Sequence, residues 1–386
     1  MSCNFERQNV SGKSLLILVD GDFVGGAETN YRFILPGLLS RGWRPVFVCP
    51  EDQNLRAYFD AFGHRIETAT GMLRYPPFSV GGRTSPMNLF RVFAAIRVNR
   101  RRVMHLIREH SAVAVISNSM VSHLLNASLP LDPGYRRVVH LHDIVNRRKA
   151  RGLYGKGLDW ISRRVDAIIT ISDAVVETIP KSERYKSTKL YNPIGEMPVR
   201  KRAREERLRV GMFARYTKWK GHGDLLQIAA TCTDAPVEFV SFGNVSASDQ
   251  VYLDGLKTMA QALKHPDRLR LNGFTPDPLQ EMADCDFVLH LSTSPEPFGR
   301  VLIEANACGV PILAYRGGGV DELFENLGLF GERFSNGDWA AVAAFILAAA
   351  AGNQSTTSVA EALPKARLGG IAAENYVDSY LRVCHD

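Results

Sequence analysis

No stretch of this 386-residue chain reaches the ~18 to 20 apolar residues that a membrane-crossing helix requires. The longest apolar run, 339–351, is alanine-rich and too short, and it predicts a buried helix. The opening residues, MSCNFERQNVSGK, are polar and lack a basic-then-apolar leader, so no secretory signal is expected. Cysteine is sparse: six residues are scattered without a Cys-x-x-Cys pair, which excludes a disulfide frame and a zinc site. Cys49, Cys285 and Cys308 lie in apolar surroundings and read as small buried hydrophobes of a reducing compartment, so a cytoplasmic location is expected. There is no His-Glu-x-x-His, no Walker A loop and no serine nucleophile elbow. Those absences remove zinc-peptidase, P-loop and α/β-hydrolase chemistry.

The composition is that of a folded protein, with 45% hydrophobic and 23% charged residues, and the length suits two domains. Charge is divided unevenly. Residues 1–195 hold 28 Lys and Arg against 16 Asp and Glu, a balance of +12; the remainder holds 19 against 24, a balance of −5. A basic first half fits either an anionic partner or simply solvated Arg-rich helices, and the helix expected at 97–108 carries one patch. No nucleic-acid motif accompanies the charge.

Apolar runs of strand length at 15–19, 46–49, 113–117, 138–141 and 167–171 alternate with helical stretches such as 27–39, 90–109 and 158–164. Uninterrupted aliphatics suit strands buried on both faces, and the alternation predicts a doubly wound parallel sheet. The pattern breaks near 191–195, and the charged stretch 198–207 reads as a linker. A second series follows at 208–213, 237–242, 269–271, 287–291 and 312–314. The expected division is therefore 1–195, 196–370 and an amphipathic C-terminal segment, 371–386. Open parallel sheets bind ligands beyond the carboxyl ends of their strands, so the loops there hold the candidates.

The densest cluster of signals spans 296–311. Glu296 lies on a loop between Pro295 and Pro297, and Glu304 lies eight residues on, inside a helix expected from Arg300 to Ala307. Cys308-Gly309 and Pro311 end that helix. A helix N-terminus offers unpaired N–H groups and a positive dipole end to an anion, while carboxylates accept from hydroxyls. A phosphorylated sugar has both kinds of group.

The run Glu296-Pro297-Phe298-Gly299-x4-Glu304-Ala-x-Ala-x-Gly309-x-Pro311 resembles, without a gap, the donor-site signature of retaining glycosyltransferases of family 4, which have the GT-B fold. The resemblance implies two doubly wound Rossmann-like α/β domains facing a cleft, with the C-terminal helix crossing back to the first. It implies transfer of a sugar from a nucleotide sugar, a UDP-sugar before a GDP-sugar, to an acceptor hydroxyl, with retention. Glu304 would then bind the ribose, and Glu296, with Phe298, Gly299, Pro297 and Arg300 around it, the donor sugar. No cofactor and no metal are expected. A catalytically silent nucleotide-sugar-binding subunit, or an epimerase on the same scaffold, remain as alternatives.

Other residues fall into place around that resemblance. Gly25-Gly26 makes a turn into a helix, where backbone can approach a phosphate closely; with Glu28 it resembles the family's Gly-Gly-x-Glu loop. Arg215 and Lys220 put two cations on one short loop, and by resemblance they clamp the departing diphosphate. His140 and His142 alternate on one strand face, and the resemblance places His142, followed by Asp143, near the donor sugar. Gly273-Phe274 resembles the strand end that reads the base edge, and Gly317-Gly318-Gly319 a loop beyond the Glu304 helix. Asp143, which could instead orient His142, Arg147 and Arg148 are the acceptor-side candidates. The partners expected are a nucleotide sugar, an anionic or lipid-linked acceptor, and the surface of an anionic membrane.

Overall fold

The computed structural model describes residues 13–19, 26–61, 63–74, 86–145, 153–195, 207–352 and 368–385. The chain divides into two compact units, 1–193 joined by 371–386, and 194–370.

In the first unit the elements are β1 (Ser14–Leu18), α1 (Gly26–Ser40), β2 (Arg44–Val48), α2 (Gln53–Ala61), β3 (Glu67–Ala69) and α3 (Pro86–Glu109). They continue with β4 (Ala112–Ser117), α4 (Met120–Ser128), β5 (Arg136–Leu141), α5 (Leu153–Arg164), β6 (Ala167–Thr170), α6 (Asp173–Val176) and β7 (Ser187–Lys189). Every strand pair is parallel, in the order β3-β2-β1-β4-β5-β6-β7. Leu15, Leu16, Ile17 and Leu18 are all fully buried, as a central strand covered on both faces requires.

The second unit holds β8 (Leu208–Phe213), α7 (His222–Thr231), β9 (Val237–Phe242), α8 (Gln250–Gln261), β10 (Leu269–Leu271) and α9 (Pro278–Ala283). After these come β11 (Phe287–His290), α10 (Arg300–Ala307), β12 (Ile312–Tyr315), α11 (Val320–Leu327), β13 (Gly331–Phe334) and α12 (Trp339–Ala350). Its sheet is again parallel throughout, ordered β10-β9-β8-β11-β12-β13. The alanine-rich run buries one face only, with Val342, Ala343 and Ile346 in the core of this unit and Ala340 and Ala344 exposed, so the expected buried helix is a half-buried one.

The last helix, α13 (Ala373–His385), belongs to the first unit. Tyr376, Val377, Tyr380, Leu381 and Cys384 enter the same core as Leu15, Phe47 and Ile169. The contact with α1 is close: a Cβ on Gly37 would stand 2.9 Å from Val377 Cγ2, and Arg41 pairs with Asp378 at 2.7 Å. Three strands escape the sequence pattern, β3, β7 and β13. Each is a short edge strand with at most one buried residue, so no uninterrupted apolar run announces it. Cys49, Cys232, Cys285, Cys308 and Cys384 are buried free thiols.

Candidate functional site

Glu296 anchors the strongest constellation, and its backbone is fixed before its side chain is. It forms a parallel bridge with Gly318, and Gly319 N–H donates to its carbonyl at 2.8 Å. Gly318 adopts φ +66°, and a Cβ there would lie 2.1 Å from the Glu296 carbonyl oxygen, so only glycine permits the approach. The triple-glycine loop thus holds Glu296 in place.

The Glu296 carboxylate is buried, and one of its oxygens carries a heavy load. Lys220 Nζ donates to Oε2 at 2.6 Å, Ser292 Oγ donates to it at 2.9 Å, and His290 Nε2 stands 3.3 Å away. No partner among the described residues engages Oε1. Burial pushes the carboxyl upward, but hydrogen bonding and charge from His290 and Lys220 together outweigh it and hold the group well below the ordinary carboxylate range. Glu296 is therefore an ionised acceptor, not an acid.

Lys220 reaches this position from the other side of β11. Gly221, at φ +87°, packs so tightly that a Cβ would lie 2.0 Å from the Leu291 carbonyl oxygen. Thr293 N–H donates to the Trp219 carbonyl at 2.8 Å, and Lys220 Nζ lies 3.9 Å from the Trp219 ring centroid. The two cations expected to act together have different situations. Lys220 is engaged with Glu296, whereas Arg215 is exposed and makes no side-chain hydrogen bond or ion pair among the described residues.

Beside this cluster, α10 begins at Gly299 in the left-handed region (φ +86°) with no side-chain cap. Gly299, as the N-cap, has no side chain of its own to bond the first N–H groups, which suits anion binding at a helix start. Pro297 is half-buried, Phe298 buried, and Arg300 pairs with Glu304 one turn on at 3.0 Å. Both of those charged side chains are mostly buried. At the other end of α10, Asn306 bonds the Val310 and Phe330 carbonyls and the Phe330 amide, tying the helix to the next two strands.

Gly273 and Phe274 follow β10 and are exposed. Gly273 carbonyl accepts from Gly243 N–H at 3.0 Å, and Tyr216 hydroxyl donates to the carbonyls of Ser241 and Asn272. Tyr216 is fully buried and so clamps the carboxyl ends of β9 and β10. Sequence reasoning missed Tyr216, His290 and Ser292. The one signal was position: Tyr216 and Ser292 follow strand ends, and His290 closes β11.

In the first unit His140 is buried at the end of β5, and half-buried His142 follows, its ring 4.0 Å from that of His140. His123 Nδ1 pairs with Ser117 Oγ at 2.9 Å. Burial and then His142 hold His140 well below 6.5, and the same causes lower His123 to about 3. Asp143 is exposed. Gly25, Arg147 and Arg148 lie outside the described residues, as does the side chain of Glu28; Gly26 opens α1.

Two Asp-x-Asp triplets bear on metal binding, 20–22 and 284–286. The first lies outside the described residues. In the second, Asp286 accepts the Arg209 amide at 2.7 Å, a structural task. Among the described residues no cluster of three His, Cys, Asp or Glu is arranged to hold a metal ion.

Comparison with known proteins decides the family. A model described as Glycosyl transferases group 1 matches residues 194–363, and one described as Glycosyltransferase Family 4 matches 24–194. The chain is a glycosyltransferase of the GT-B, family 4 type. This glycosyltransferase is 23% identical over 325 residues to the phosphatidylinositol N-acetylglucosaminyltransferase GPI3 subunit of Saccharomyces cerevisiae, covering 78% of this chain and 67% of that protein. Its fold matches Anabaena HepE, solved with UDP-glucose, at TM-score 0.76 and 22% identity, over 96% of this chain and 98% of that one. TarM matches at TM-score 0.72 and 14% identity, over 96% and 98%. The expected family and fold class are borne out. The described helices of the glycosyltransferase include none long and apolar enough to cross a membrane.

Proposed function

We propose that this glycosyltransferase moves a sugar from a UDP-sugar to an acceptor hydroxyl with retention at the anomeric carbon, and does so without a metal. The observation that carries the donor reading is the asymmetric loading of Glu296. Three donors hold Oε2 and keep the carboxylate ionised, which leaves Oε1 to accept from a sugar hydroxyl. Lys220, already against Glu296, would lie between that carboxylate and the diphosphate, with exposed Arg215 as the second cation and the start of α10 receiving phosphate oxygens. Glu304 would exchange its Arg300 partner for the ribose hydroxyls, and Gly273 with Phe274 would line the base. Charge developing on the departing UDP would thus meet fixed cations, the kind of stabilisation that accelerates group transfer most. Gly25, Gly26 and His142 retain the roles that the family resemblance implies, and Asp143, Arg147 and Arg148 the acceptor side.

UDP is favoured over GDP because HepE, a structural relative, is solved with UDP-glucose. A lipid-linked acceptor is supported by the GPI3 relative, whose name specifies phosphatidylinositol. The test is slow hydrolysis of a panel of UDP- and GDP-sugars without acceptor, followed by NMR of the released anomer. The expected result is a UDP-sugar hydrolysed with its configuration kept, unaffected by EDTA. Inverted product, loss of activity in EDTA, or no turnover of any donor would overturn the corresponding part of the reading.

A further inference from the structure

The face of α3 turned away from the core has a composition that sugar transfer does not explain. Its buried side is ordinary: Val92, Ala95, Asn99, Val103 and Leu106. On the opposite side Phe90 is 71% exposed, Phe93 57% and Met87 59%, all in the first two turns. Along the same line follow Arg97, Arg101 and Arg108; at 100° per residue these fall within about 20° of Phe90. The 24-residue helix carries six arginines and one glutamate, its last residue. Arg91, Arg97, Arg100, Arg101 and Arg108 form no ion pair with a described residue.

A merely solvated helix has no use for two exposed phenylalanines, and exposed aromatics grouped with unpaired cations mark a docking surface. A second copy of this chain is a poor occupant, since its own α3 would bring six more arginines and a single glutamate to meet them. An anionic bilayer satisfies both groups at once. Aromatic rings sink into the headgroup and acyl boundary, and the arginines meet lipid phosphates. We propose that α3 docks this protein on anionic membrane surfaces through Phe90 and Phe93 as wedges and Arg97 and Arg101 as charge contacts. The inference rests on this face alone and is independent of the donor assignment.

Flotation with vesicles tests it, using phosphatidylcholine alone and phosphatidylcholine containing phosphatidylglycerol. The full chain should float with the anionic vesicles only, and salt should release it, because exposed charge is screened over ~8 Å at physiological ionic strength. Each arginine near an anionic surface contributes about fivefold in partition, so Arg97→Glu with Arg101→Glu should weaken it more than about twenty-fivefold. Phe90→Ser with Phe93→Ser should weaken it independently, at an unchanged melting temperature. Should the phenylalanine variant fail to fold, the arginine variant still decides. Equal flotation of wild type and arginine variant, no flotation of the wild type, or a wild-type dimer that Phe90→Ser with Phe93→Ser dissociates would each overturn the proposal.

Discussion

The two units are built to one plan and carry opposite electrostatics. In each, the first strand sits inside a parallel sheet, with the next two strands on one side and the later strands on the other. At the end of β5 in the first unit, burial keeps His140 neutral, and it does the same for His123 on α4. Beyond β11 in the second, an almost equally buried Glu296 stays charged, because a lysine, a histidine and a serine converge on it. The sheet supplies a floor, and a few side chains at strand ends decide whether that floor is neutral or ionic. Shared topology therefore says little about task.

The comparison breaks most visibly at Lys220. Removing one partner of a buried pair strands the other charge, so Lys220→Ala should cost ~3–5 kcal/mol of stability, read as a lower urea midpoint. It should also lower kcat and not merely raise KM, since a leaving-group cation acts chiefly in the transition state. A Lys220→Ala protein with the wild-type midpoint and turnover would reduce the pair to solvated surface.

Acid sharpens the comparison. His123 near 3 and His140 well below 6.5 stay neutral in the fold, whereas the unfolded chain protonates near pH 6.5. Between those values the unfolded state binds more protons, so stability is full above about pH 6.5 and falls as the pH drops below it. Each histidine should contribute a slope of up to ~1.4 kcal/mol per pH unit. The second unit has one such group, His222, lowered to about 4 by burial and then by Lys220. Glu296, with its pKa depressed, contributes stability that persists above the ordinary carboxylate range and is lost only in stronger acid. Melting temperatures at pH 7 and pH 5 should therefore diverge in the wild type, and His140→Phe should flatten the difference. An unchanged slope in that variant would contradict the neutral-floor description.

The smallest effect concerns Tyr216. Tyr216→Phe removes a hydroxyl that joins the Ser241 and Asn272 carbonyls, at ~1 kcal/mol. It should raise the donor KM a few-fold by loosening the Gly273 strand end, with kcat nearly unchanged. A kcat effect would place Tyr216 nearer the chemistry.

What could be read from the chain follows from burial. Strands such as β1 and β8 are covered on both faces and announce themselves as apolar runs; β3, β7 and β13 are short, largely unburied edges and do not. The helix from Arg300 to Ala307 was legible because Gly299, Cys308-Gly309 and Pro311 punctuate it. The signature from Glu296 to Pro311 was legible as a pattern, but the charge state of Glu296 was not. Lys220, His290 and Ser292 come from two other places in the chain, and their convergence is a property of the sheet. Sequence placed Lys220 with Arg215; folding placed it on Glu296.

The proposed donor corner, Glu296 with Lys220 and α10, is tested most directly at Glu304. Calorimetry with UDP should show Glu304→Ala binding about 10- to 150-fold more weakly than wild type, the loss of roughly 1.5–3 kcal/mol expected for hydrogen bonds to a charged group. UDP affinity equal in the two proteins would contradict the account.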